Sequence, residues 1–104
     1  MELTYDPGAL QAVLKDRGGH WCLDIEVATG GSWGHADTTW SSTTIGDDEL
    51  RDHLGVGVAV DAQGVIGYVE VCLRRAGWRA VRSGDPAAAP SVETWELSPA
   101  DEYR

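Results

Sequence analysis

Gly30-Gly31-Ser32-Trp33-Gly34 matches the hydrolase pattern Gly-x-Ser-x-Gly. In such enzymes a strained strand-to-helix turn presents the serine hydroxyl to a carbonyl carbon. A strand is readable before this segment, but the residues after it, His35 to Ser42, make a poor helix. The usual scaffold also needs a far longer chain. Asp47 or Asp48 followed by His53 imitates the remaining triad order, yet nothing in the sequence makes these residues converge. The segment reads as a glycine loop, and no catalytic residue is assigned.

A second set has zinc-like chemistry. His20, Cys22, Asp24 and Glu26 alternate along one face of a single strand, and His35 and Asp37 are placed to face them from the next one. Imidazole, thiolate and carboxylate form a familiar ligand set. The same residues, His20, Cys22, Asp24, His35 and Asp37, define the alternative reading of a small enzyme or ligand-binding pocket. Alternate residues on a strand lie only about 7 Å apart, however, and closed sites draw on several segments. No Cys-x-x-Cys or His-x-x-x-His spacing supports a metal. The expectation is therefore the solvated side of an amphipathic strand, with Asp24 and Glu26 in water, no metal and no cofactor.

Arg74, Arg75, Arg79 and Arg82 fall close together with no acid among them, and Trp78 is interleaved. Guanidinium groups grip phosphate or carboxylate in pairs, and an indole stacks on a base. This makes a candidate anion site, and a second alternative function as a phosphate or nucleic-acid binder. The preferred reading is that these cations neutralise an otherwise acidic chain.

The chain has five Trp and no Phe. Trp21 and Trp95 fit core-facing strand positions. Trp33 sits among glycines and Trp40 lies in a Thr/Ser-rich stretch, so both are candidates for exposed anchors of an interface. The second candidate feature is the acidic run Asp47, Asp48, Glu49 and Asp52, relieved only by Arg51 and expected to be solvated.

These residues need elements to carry them. Asp6 as N-cap, Pro7 at the first helical position, the apolar spacing of Leu10, Val13 and Leu14, and Gly18 as terminator predict a helix from Pro7 to Arg17. Trp21 to Val27 alternates and predicts a half-buried strand. His35 to Ile45 predicts an exposed or edge strand from its β-branched residues. Asp47 to Leu54 predicts a short helix whose first-turn acids suit the macrodipole. Val56 to Val60 and Val65 to Leu73 predict a hairpin turning at Gly64, with Val58 and Val69 buried and the Tyr68 ring over Gly57. Trp78 to Val81 and Val92 to Leu97 predict two further strands. Residues 83–91 are expected to be a surface loop and 98–104 a frayed end. The fold class that follows is α+β: one domain over 1–104, a mostly antiparallel twisted sheet of about five strands, one N-terminal helix packed on it and a second short helix.

Composition narrows function. The chain of 104 residues is 42% hydrophobic and 24% charged, which excludes global disorder. Its longest apolar stretch, Leu54 to Val60, is too short to span a bilayer. The leading Met-Glu-Leu-Thr-Tyr-Asp has neither a basic flank nor an apolar core, so a cytoplasmic protein is expected. Two cysteines, Cys22 and Cys72, are too few and too far apart for a disulfide scaffold. Seventeen acids against eight Lys plus Arg give a net charge of −9, which disfavours nucleic acid and anionic membranes and suits a basic protein partner. The leading expectation is a small non-catalytic binding protein, an inhibitor or immunity-type antagonist, in which acids steer the encounter and Trp33 or Trp40 anchors it.

Overall fold

Gly18 and Gly19, at φ 66° and 92°, turn the chain back on itself between the first two elements. Arg17 N–H donates to the His20 carbonyl across this turn at 2.7 Å. Two consecutive positive-φ residues are what a tight two-residue hairpin requires. In this computed structural model, which describes residues 1–29, 37–55, 57–83 and 91–100, the turn joins β1 (Ala9–Asp16) to β2 (Trp21–Thr29). Next come β3 (Asp37–Ile45), α1 (Asp47–Leu54), α2 (Ala62–Ala76), β4 (Trp78–Arg82) and β5 (Ser91–Pro99). The strands form one sheet in the order β3-β2-β1-β5-β4, with every pairing antiparallel. The fold class is α+β.

The predicted N-terminal helix over 7–17 is instead the central strand of the sheet. Asp6 makes an Asx turn rather than an N-cap: its Oδ1 accepts from Gly8 N–H at 2.8 Å and its carbonyl accepts from Ala9 N–H at 3.1 Å. The same Asx chemistry serves caps and turns, so it does not by itself select a helix. Leu10, read as part of an apolar stripe, sits exposed beside a register shift between Ala9 and Gln11. Val13 and Leu14 are both buried, on opposite faces of the central strand, which erases simple alternation.

The predicted hairpin over 56–73 is also corrected. Residues 62–76 form α2, the longest helix among those described. Asp61 is its N-cap, accepting from Gly64 N–H at 2.9 Å, and Gly77 closes it at φ 120° with its N–H on the Arg74 carbonyl. Val65, Ile66, Tyr68, Val69, Cys72 and Leu73 turn inward. Val65, Val69 and Leu73 satisfy periods of two and of 3.6 alike, since four residues are two pleats or about one turn. Burial of Ile66 and Cys72 is what only the helix explains. Tyr68 accordingly does not cover Gly57.

Both helices lie on one side of the sheet. Ala12, Leu14, Leu23, Ile25, Trp95 and Leu97 face them and join Ile45, Leu50, Val69, Leu73 and Trp78 in one core. The other side of the sheet carries no helix among the described residues. Val58 was expected in the core but is 52% exposed, in the link between α1 and α2. Val69→Ala is therefore expected to cost about 1–2 kcal/mol from lost burial, and Val58→Ala to stay within about 0.5 kcal/mol. Denaturant midpoints of the two variants check this, and equal losses would place the α2 register wrongly.

Candidate functional site

The helix-free side of the sheet and its β3 edge hold Cys22, Asp24, Glu26, Asp37 and Trp40 of the candidate residues that the sequence singles out. Trp40 stands opposite Glu26, Ser42 opposite Asp24 and Thr44 opposite Cys22, so these six side chains share that side. Trp40 is 51% exposed. Asp24 is not solvated as expected: it is 7% exposed, and its Oδ2 lies 2.9 Å from Lys15 Nζ and 3.9 Å from an Arg17 guanidinium nitrogen. Burial raises its carboxyl, but the Lys15 hydrogen bond, the nearby Ser42 hydroxyl and the charges of Lys15 and Arg17 outweigh that and hold it below the usual carboxylate range. Its Oδ1 has no hydrogen-bond partner among the described residues. Glu26 is half-buried and accepts from Gln11 Nε2 at 2.9 Å.

The pocket set is spread out rather than gathered. Cys22 pairs with Thr44 at one end of the β2–β3 ladder, and Asp37 pairs with Thr29 at the other. Seven residues of strand put them roughly 23 Å apart. His20 is exposed at the β1–β2 turn. His35 lies outside the described residues, as do Ser32 and Trp33. Among the described residues no group of three His, Cys, Asp or Glu side chains comes together to hold a metal. Cys22 and Cys72 are both free and buried, on opposite sides of the sheet.

The acidic run divides by role. Asp47, Asp48 and Asp52 are exposed on α1 and make no ion pair among the described residues. Glu49 is half-buried and structural, which corrects the expectation of a solvated charge. Its Oε1 accepts from Gly46 N–H at 2.8 Å, and its Oε2 meets the Met1 ammonium and the Tyr68 hydroxyl. The Met1 ammonium also donates to Tyr68 Oη at 2.7 Å. Burial raises the Glu49 carboxyl, but these donors and the ammonium charge overcome it and hold it low. Burial, with the Glu49 and Cys72 partners, pushes the Tyr68 phenol well above its usual range. The His53 ring lies over Tyr68 with centroids 5.0 Å apart.

The arginines lie on two elements, the end of α2 and β4. Arg79 and Arg82, three apart on β4, point to opposite sides of the sheet. Arg82 Nε donates to Glu70 Oε2 at 2.7 Å. Arg74 and Arg75 close α2, where cations suit the helix end. Trp78 is buried, packs against Tyr5 at 5.5 Å between centroids, and donates Nε1–H to the Asp6 carbonyl at 3.0 Å. It is core, not a stacking platform.

One feature was not read from the sequence. The helices leave part of β2 and β3 uncovered on their own side of the sheet. The N-terminal segment crosses nearby, leaving a cleft of about 270 Å³. Ile25 and Val27 supply apolar wall, Ser41 and Thr43 hydroxyls, and Glu2 and Asp6 carboxylates. These residues come from separate segments and meet only through the strand order, so no local pattern announces them.

No family model, characterised relative or solved structure matches the chain. No helix among the described residues is long and apolar enough to cross a membrane.

Proposed function

We propose that this protein is a small acidic binding protein without catalysis, an inhibitor or immunity-type antagonist of a basic protein partner. The observation that carries the reading is unspent charge on α1 together with an exposed indole on β3, the strand that precedes it. Asp47, Asp48 and Asp52 have no ion-pair partner among the described residues, and Trp40 exposes half its surface on the neighbouring strand. Exposed acids raise the encounter rate with a cationic protein, while a desolvated indole slows escape. Trp40 and α1 lie on opposite sides of the sheet, so a single interface that uses both wraps the β3 edge.

The test is kinetic. A partner is recovered by co-purification from the native host and rebound in purified form. Asp47→Asn, Asp48→Asn and Asp52→Asn together are expected to slow association several-fold at low salt and to flatten its salt dependence. Trp40→Ala is expected chiefly to speed dissociation, by about tenfold or more. Glu49 is left intact because its loss would loosen α1. A recovered partner of acidic charge, or association unchanged in the triple variant, would remove the electrostatic basis of the reading.

A further inference from the structure

Beyond Asp37 at its start, the β3 edge lacks, among the described residues, the devices that ordinarily guard an outer strand. Natural edges are short, bulged, or carry charge or proline. β3 pairs with β2 through an unbroken register from Trp21↔Ile45 to Thr29↔Asp37, and on its outer side it has no neighbour among the described residues. From Thr38 to Ile45 it contains no charge and no proline. The opposite edge, β4, is five residues long and carries Arg79 and Arg82, which is ordinary protection. A long uncharged edge offers a row of free amide and carbonyl groups to another strand.

What lies around the edge selects the occupant. Asp37 marks one end, and Asp47 and Asp48 mark the other. Side chains of an added strand would alternate between the two sides of the sheet. On one side they meet Trp40, with Glu26 beyond it. On the other they enter the cleft at Ser41 and Thr43, where Ile25 and Val27 can cover methylenes and Glu2 and Asp6 bring negative charge. That combination suits a long cationic side chain, whose stem is apolar and whose head is charged. A second copy of this chain suits it badly. Antiparallel self-pairing centred on Ser41 would set Asp37 of each copy near the Asp47 end of the other, between molecules of net charge −9.

We infer that β3 is a strand-addition site for an extended, basic segment of the partner protein, with an Arg or Lys of that segment seated in the Glu2/Asp6 cleft. This rests on the proposed antagonist function and names its contact. The probe is a capped seven-residue peptide alternating Arg and Val, with an alternating Glu and Val peptide as control. The Arg/Val peptide is expected to slow amide hydrogen exchange within residues 37–45 at least tenfold, and the Glu/Val peptide to leave it unchanged. Ser41→Lys puts an ammonium at the cleft mouth and is expected to weaken the Arg/Val peptide about tenfold. Glu2→Gln with Asp6→Asn, which keeps an acceptor for Gly8 N–H, is expected to weaken it similarly, with thermal melts near wild type for both variants.

Equal protection by both peptides, or none by either, overturns the proposal. So does protection of 37–45 that rises with protein concentration alone, because the occupant is then a second copy. A recovered basic partner that shows the α1 salt signature but leaves 37–45 unprotected overturns strand addition while the antagonist reading stands. Specific Arg/Val docking on β3, combined with a recovered partner that is not basic, supports the edge site and overturns the antagonist reading.

Discussion

Trp95→Ala is expected to cost about 3–5 kcal/mol, a large part of the roughly 5–15 kcal/mol that holds a domain of this size together. Trp95 lies on β5 opposite Ala12 of the central strand and Arg82 of β4, and it is fully buried. A small residue opposite a large one is how the sheet makes room for an indole beneath α2. Removing the ring leaves a cavity that rigid strands on both sides cannot close. The indole also has a polar duty, since its Nε1–H donates to Glu70 Oε2 at 3.0 Å. Trp95→Phe restores most of the apolar volume but not the donor, so a smaller loss of about 1–2 kcal/mol is expected. Melting temperatures separate the two cases, because each kcal/mol moves a domain of this length by about 4–8 °C. If Trp95→Phe were as damaging as Trp95→Ala, the hydrogen bond rather than the volume would be what the site requires.

The strands that the sequence made legible are those whose side-chain types alternate or whose composition is β-branched. Trp21 to Val27 alternates because β2 has a helix-facing side, with Leu23 and Ile25, and a side without helices, with Asp24 and Glu26. The Thr/Ser-rich edge strand was readable because β-branched residues without an apolar period fit exposed β structure. Short α1 was readable from its first-turn acids, which suit a helix start whatever the tertiary context. The two misread elements misled for different reasons. In β1, Val13 and Leu14 are buried on opposite faces, so alternation is lost and the pattern resembles a helix. In α2 the valines carry strand preference and the glycines weaken a helix, and tertiary burial of a 3.6-residue stripe overrides both.

The candidate site was legible in part, and the division has the same cause. Trp40 and the α1 acids announce themselves through local mismatch, an indole among hydroxyls and four acids with only Arg51 among them. What Glu49 does was hidden, because its partners, Met1 and Tyr68, are distant in sequence. Trp78, interleaved with arginines, looked like a stacking group until strand order put it beneath the N-terminal segment. The cleft was unreadable for the strongest version of this reason: Glu2, Ile25 and Ser41 become neighbours only when β3 lies beside β2 and the N-terminal segment crosses nearby. Long-range pairing of this kind leaves no periodic trace.

Glu70 ties α2 to the sheet, and its two partners are expected to matter unequally. Its carboxylate accepts from Trp95 Nε1 at 3.0 Å and from Arg82 at 2.7 and 3.3 Å. The Arg82 pair is largely in water, so screening and side-chain entropy leave it little net value. The indole donor is buried, and an unpaired buried donor costs about 1–3 kcal/mol. Glu70→Ala is therefore expected to lose about that much, whereas Glu70→Gln, whose amide oxygen still accepts from the indole, and Arg82→Ala are expected to lose far less near neutral pH. Acid brings out the charge. The Arg82 hydrogen bond, helped by the Trp95 bond and the charges of Arg82 and Arg74, outweighs burial and holds the Glu70 carboxyl below its ordinary value near 4.5. The unfolded chain therefore binds a proton more readily than the folded one in the interval between the two values. The stabilisation is complete above the ordinary value and disappears as pH falls through the folded one. Asp24 and Glu49 are held low in the same direction, so wild type has three contributors to its acid slope. Glu70→Gln lacks one of them, and its melting temperature is expected to fall less steeply below about pH 4.5 than that of wild type. If Glu70→Ala loses no more than Arg82→Ala at neutral pH, apolar packing alone holds the helix and the indole bond is incidental.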